Sequence, residues 1–183
     1  MKEIVFAGFG GQGVLTGGLA MANIALEKNV NVTWMPSYGP EMRGGKSKCV
    51  VKFGDTPEEI IPVPMMAHID VLVAMNMLAL DYAEYCRPGA TVLVNADAVP
   101  EPPALEGLNT VMVKCTSMAY DTENPKGASI VMLGALVALL GGYPKDFAEQ
   151  AMCRMFADKG KQAMNEKNVR SFEAGWDAVR GGK

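Results

Sequence analysis

Six residues near the start of the chain, Gly8-Phe9-Gly10-Gly11-Gln12-Gly13, have the types and spacing to hold an anion. Glycines let a chain reverse tightly after a strand, and they leave backbone N–H groups uncovered where a helix begins. Those groups, together with the helix dipole, attract a phosphate or a carboxylate. The plainer use of the same residues is a strand-to-helix turn whose glycines only permit close packing. A second stretch is residues 37–45, Ser-Tyr-Gly-Pro-Glu-Met-Arg-Gly-Gly, which presents Tyr38, Glu41 and Arg43 between glycines. Arg43 can grip a phosphate or carboxylate through two parallel hydrogen bonds, or pair with Glu41 to close a rigid loop. Glu41 has the chemistry of a general base, but no burial or charge in the sequence argues for a raised pKa.

Other chemistries are disfavoured. Gly8, Gly10 and Gly13 satisfy G-x-G-x-x-G, yet Thr33, Trp34, Met35 and Pro36 stand where a dinucleotide fold needs an acid for the ribose hydroxyls. No Gly-Lys-Ser/Thr follows the turn, which excludes a P-loop. The four cysteines, Cys49, Cys86, Cys115 and Cys153, form no C-x-x-C pair, so iron–sulfur and common zinc patterns are absent from the sequence. They read as small buried hydrophobes in a reducing compartment. His68 is the only histidine and reads as packing or surface. Met35, Met42, Met65 and Met66 fall near the second loop and read as core or interface filler. No catalytic set and no metal-ligand set emerges.

The elements that must position these residues follow from periodicity. The chain has 183 residues, 49% hydrophobic and 20% charged, which suits a single domain over residues 1–183 with a real core. A net charge of −3 argues against nucleic acid as the main partner. Strands are predicted at residues 4–7, 30–35, 46–53, 71–75, 91–94 and 110–114, with a short extended piece at 60–64. Helices are predicted at 14–28, 77–86, 128–140, 145–157 and 162–179, the last packing back through Val169, Phe172 and Trp176. Pro36 is expected to end the second strand, Pro88-Gly89 to make a turn, and residues 100–103 to form a surface connection. Residues 128–143 are uncharged but too short to span a membrane, and no secretory signal opens the chain, so a cytoplasmic protein is expected.

Strands alternating with helices make a three-layer α/β fold with a mostly parallel sheet and a helical C-terminal tail. The two strands on either side of residues 37–45 have no helix between them, so the sheet is expected to be mixed at one edge. Such sheets bind ligands beyond the carboxyl ends of their strands. One rim then collects the glycine turn, residues 37–45, Asn76, and Asn95 with Asp97.

Taken together, the glycine turn, the strand ending Thr33-Trp34-Met35-Pro36, the loop Ser37-Tyr38-Gly39-Pro40-Glu41-Met42-Arg43-Gly44-Gly45 and the Met75-Asn76 pair resemble the gamma subunit of 2-oxoacid:ferredoxin oxidoreductases. The resemblance covers nearly the whole chain. It implies an enzyme that oxidatively decarboxylates a 2-oxoacid, forms an acyl-coenzyme A and passes electrons to ferredoxin. It also implies thiamine diphosphate with magnesium in alpha and beta subunits, and iron–sulfur clusters in beta or delta. Gamma would complete the assembly on the coenzyme A side without catalytic residues of its own. By the resemblance, Gly10, Gly11, Gln12, Gly13, Ser37, Tyr38, Glu41, Arg43, Gly44 and Asn76 would form the coenzyme A or intersubunit face. An isolated chain is expected to self-associate through that face. The motif style leans toward 2-oxoglutarate or branched-chain oxoacids over pyruvate, with indolepyruvate open. The alternative from the residues alone is a free-standing nucleotide- or phosphate-binding module.

Overall fold

The computed structural model describes residues 1–38, 45–61, 66 and 68–181. Its centre is a six-stranded sheet in the order β2-β3-β1-β4-β5-β6, built from β1 (Lys2–Phe9), β2 (Val32–Tyr38), β3 (Lys46–Phe53), β4 (Ile69–Ala74), β5 (Cys86–Asn95) and β6 (Asn109–Val113). Strand β1 lies between antiparallel β3 and parallel β4, and β4, β5 and β6 continue in parallel. Because β2 is antiparallel to β3, β3 alone runs against the rest. The expected mixed edge is there. It also separates the fold from a dinucleotide-binding one, because the neighbour of β1 on that side is a hairpin strand rather than a crossover strand.

Alternation along the strands divides the core. Ile4, Phe6, Cys49, Val51, Val73 and Leu93 face one cluster, and Val5, Ala7, Val50, Leu72, Val92 and Val94 face the other. The first cluster is covered by α1 (Val14–Leu26), α2 (Cys115–Asp121), α3 (Ala128–Leu140), α4 (Lys145–Asp158) and α5 (Asn165–Arg180). The second face carries a thinner layer, a 3₁₀ helix at Met77–Tyr85 with Val99, Leu105 and Leu108. Helix α3 is apolar on nearly every side and sits inside the helical layer, as its uncharged sequence requires.

Several local expectations are corrected. Pro36 does not end β2, which continues to Tyr38 with Pro36 opposite Cys49; β2 is an edge strand, where the missing N–H costs no ladder bond. The predicted helix 77–86 is a 3₁₀ helix, and Cys86 already belongs to β5. Pro88-Gly89 lies within an irregular first part of β5, where the register against β4 shifts and the Gly89 N–H donates to Gly107 O at 2.8 Å. The tail begins with a 3₁₀ turn, Gln162–Met164, before α5. Helix α2 was not expected at all. The short piece at 60–64 lies largely outside the described residues, as do Met42 and Met65.

Phe172 is fully buried and stacks on Trp176, with Val169 packed beside them. The crossing of α3 and α5 is closer than side chains allow. A β-carbon on Gly134 would run into the Phe172 carbonyl, and one on Gly175 into the Val131 carbonyl. Backbone cannot yield there as a side-chain tip can, so Gly134→Ala or Gly175→Ala should each lose about 2 kcal/mol. Urea unfolding reads this as a lower midpoint; an unchanged midpoint would mean the helices do not cross at these residues.

Candidate functional site

Strand β1 feeds α1 through four residues, and the turn is held from three sides. The Gly10 N–H donates to Gly45 O at 3.0 Å, tying the turn to the start of β3. The side chain of Gln12 folds back so that its Oε1 accepts from the Phe9 N–H at 2.7 Å, while its Nε2 donates to Met75 O at 3.3 Å. Gly13 adopts φ +75°, and a β-carbon on it would collide with the Ser129 side chain of α3. Glycine is therefore required at 13 by both conformation and space.

Helix α1 consequently starts without a side-chain cap and without an acid in its first turn. Its leading N–H groups have no partner within the helix, because the bonds begin with Gly17 N–H to Gly13 O at 2.9 Å. They lie beside a cavity of about 570 Å³ lined by Phe9, Gly10, Gly11, Gly13, Val14, Leu15, Thr16, Gly45, Lys46 and Ser47. Among the described residues, the lining includes Lys46 and no carboxylate. The Lys46 ammonium is exposed and 3.5 Å from Asp81, a surface pairing that holds it only weakly.

The neighbouring helix start is arranged differently. The Asp97 carboxylate accepts from the N–H groups of Thr116 at 2.8 Å and Ser117 at 2.9 Å, and from the Ser117 hydroxyl at 2.6 Å. An anion of the chain itself thus occupies the N-terminus of α2. Between the two helix starts runs a line of amides. Asn76 donates to Gln12 Oε1 at 3.0 Å and accepts from the Ala79 N–H at 3.1 Å, and Asn95 donates to Met75 O and to Thr116 Oγ1, both at 3.2 Å.

The glycine turn, Asn76, and Asn95 with Asp97 meet on one rim, where Gly45 is bonded to Gly10; residues 39–44 of the second stretch lie outside the described residues. Gly10, Gly11 and Gly13 line the cavity. Gln12 and Asn76 lie beneath it with their amides turned to each other and to the backbone. Ser37 is exposed near the end of β2, on the sheet face opposite Trp34, and the backbone of Tyr38 pairs with Ser47. Glu41, Arg43 and Gly44 lie outside the described residues. Sequence reasoning missed Thr16, Lys46, Ser47 and Ser129, which only the fold brings to the turn.

Burial works against thiolate formation at the cysteines. Burial pushes Cys49 and Cys115 up to about 12 and Cys86 up to about 11, so all three stay protonated at neutral pH. Cys49 donates to Val14 O at 3.4 Å and packs under α1, while Cys86 and Cys153 are only half-buried, against the expectation of fully buried cysteines. Among the described residues, no three His, Cys, Asp or Glu side chains group to hold a metal, and no helix is long and apolar enough to cross a membrane.

The profile of the family described as pyruvate ferredoxin/flavodoxin oxidoreductase matches residues 3–178. The chain belongs to that family. It is 34% identical to the 2-oxoglutarate synthase subunit KorC of Methanocaldococcus jannaschii, over 98% of this chain and 94% of that protein. It is 35% identical to the ketoisovalerate oxidoreductase subunit VorA of Methanothermobacter marburgensis, over 97% of this chain but only 36% of that protein. The chain therefore spans about a third of the VorA length. Among solved structures, the gamma subunit of a keto/oxoacid ferredoxin oxidoreductase from Geobacter sulfurreducens superposes with a TM-score of 0.81 at 31% identity, covering 99% of both chains. A 2-oxoglutarate:ferredoxin oxidoreductase from Magnetococcus marinus, solved with 2-oxoglutarate, coenzyme A and succinyl-CoA bound, contains the same fold, with a TM-score of 0.84 at 20% identity over 31% of its chain. The expected α/β fold and family are those found.

The Asp97 cap carries a pH signature. Burial works against its ionisation, but the hydrogen bonds from Ser117 and Thr116 and the charge of Lys114 outweigh it and hold the carboxyl below its ordinary value. A folded-state pKa below the unfolded one stabilises fully above the unfolded value near 4, and that contribution is lost as pH falls through the folded value. Asp97→Asn should cost about 0.5 kcal/mol at neutral pH, the loss of a negative charge at a helix N-terminus. In urea titrations the gap to the unsubstituted chain should shrink as the pH drops below about 4; a constant gap would show that the Asp97 charge does not matter.

Proposed function

We propose that this chain is the gamma subunit of a multi-subunit 2-oxoacid:ferredoxin oxidoreductase and that its glycine-turn cavity receives an anionic group of coenzyme A. The carrying observation is the contrast between the two helix starts on the rim. The start of α2 is filled by Asp97, while the start of α1 has no side-chain cap and opens on a cavity whose described lining includes Lys46 and no carboxylate. Such a lining suits a phosphate held by backbone N–H groups and a cation.

The enzyme's chemistry is the oxidative decarboxylation of a 2-oxoacid with acyl transfer to coenzyme A and electron transfer to ferredoxin. Thiamine diphosphate, magnesium and iron–sulfur clusters would belong to alpha, beta or delta partners. The residues of this chain would bind and orient: the first turn of α1 would take the phosphate, Lys46 would add charge, and the apolar walls of Phe9, Val14 and Leu15 would exclude water around it. Met77 and Leu78, 48% and 43% exposed beside Asn76, give the rim an apolar edge suited to partner contact. Likeness to proteins named for 2-oxoglutarate and ketoisovalerate supports those oxoacid classes over pyruvate. A cytoplasmic setting follows from the same proposal.

Thr16 tests the site without disturbing the fold. It is exposed, lines the cavity and stands in the first turn of α1, where an acidic side chain favours the helix but repels an anion. In the assembled enzyme, Thr16→Glu should raise the KM for coenzyme A about tenfold, the effect of one unfavourable charge at short range, with the melting temperature preserved. An unchanged KM in an intact complex would overturn the coenzyme A assignment. Dissociation of the complex would instead make the rim a subunit contact.

A further inference from the structure

Gln12 is surrounded by the site yet offers it little. Its Oε1 is taken by the Phe9 N–H at 2.7 Å and Asn76 Nδ2 at 3.0 Å, and its Nε2 reaches Met75 O at 3.3 Å. It is absent from the cavity lining that includes its neighbours on both sides, Gly11 and Gly13. Space has been kept for it in this position. A β-carbon on Gly8 would come within 2.6 Å of Gln12 Oε1 and 2.8 Å of Met75 Cβ, so the first glycine of the motif makes room for an amide rather than for a ligand.

We infer that Gln12 is a positioning residue, a latch that holds the Phe9–Gly13 turn against the end of β4 and so aims the first-turn N–H groups of α1 at their ligand. The inference rests on the coenzyme A reading above and adds what sets the geometry of that site. Asn76 is the other half of the latch. It is 6% exposed, donates to Gln12 and, through its own Oδ1, caps the 3₁₀ helix at Ala79. The hydrogen bond between the two amides couples the turn to the start of the 3₁₀ helix, so losing either side chain loosens that link. Asn95, which also donates to Met75 O, anchors the same carbonyl from the β5 side.

Two substitutions separate latch from ligand contact. Gln12→Ala removes all three bonds. Asn76→Asp keeps the acceptor that caps Ala79 but removes the donor to Gln12. Both should be assayed in the assembled enzyme beside Thr16→Glu, with melting temperature recorded for each. The latch predicts that both raise the KM for coenzyme A about tenfold while kcat stays within about twofold, as expected when hydrogen bonds that orient a binding turn are lost and the chemistry is elsewhere. A general loss of structure would lower kcat and KM performance together and would overturn the inference. So would an unchanged KM in both variants when Thr16→Glu raises it, which leaves the coenzyme A site standing without the latch. If Thr16→Glu is also silent, the coenzyme A reading falls and the latch for that ligand falls with it.

Discussion

Gly13 has no room for a β-carbon, and much of the rim follows from that. The start of α1 is pressed onto Ser129, in the first turn of the central buried helix α3. A residue squeezed between two helices in a left-handed conformation can carry no side chain, so the position that would ordinarily supply a cap supplies none. The leading N–H groups of α1 stay open because packing, rather than polarity, chose the residue before them. The same helix, α3, is crossed by α5 so closely that Gly134 and Gly175 have no space either. Close packing behind the sheet is thus what leaves the start of α1 without a side-chain cap at its rim.

The sheet fixes where that end points. A hairpin strand rather than a crossover strand lies beside β1, and the glycine turn is tied to its beginning through Gly10 and Gly45. Gly45, just ahead of β3, therefore lies on the same rim from which α1 departs. The second sheet face is covered only by a 3₁₀ helix and a short connection, and that helix begins with exposed Met77 and Leu78. A thin layer with an apolar edge beside the start of α1 suits contact with a further domain or subunit, and in VorA this domain makes up about a third of a longer chain.

What could be read from the sequence was what depends on neighbours in the chain. Strand β3 was legible from its short run of apolar and β-branched residues, buried from Cys49 to Phe53, and α3 because thirteen residues without a charge must be buried. The meeting of the glycine turn, Asn76 and Asn95 with Asp97 was legible because loops after parallel strands share one side of a sheet. Pro36 misled because a local rule for ending strands is suspended at an edge. Helix α2 was hidden because its start is stabilised by Asp97, nearly twenty residues earlier, so no cap stands next to it in sequence. The work of Gln12 was illegible for the same reason: its partners Met75 and Asn76 are 63 and 64 residues away, and only the parallel pairing of β1 with β4 brings them together.

The central claim is that the open start of α1 holds an anionic group of coenzyme A in the assembled enzyme. Amide hydrogen exchange measured on the complex with and without saturating coenzyme A tests it most directly. The account predicts slowed exchange across residues 10–16, with the start of α2 at Thr116 and Ser117 unaffected because Asp97 already occupies it. Slowed exchange confined to other parts of the complex, with residues 10–16 unchanged, would contradict it.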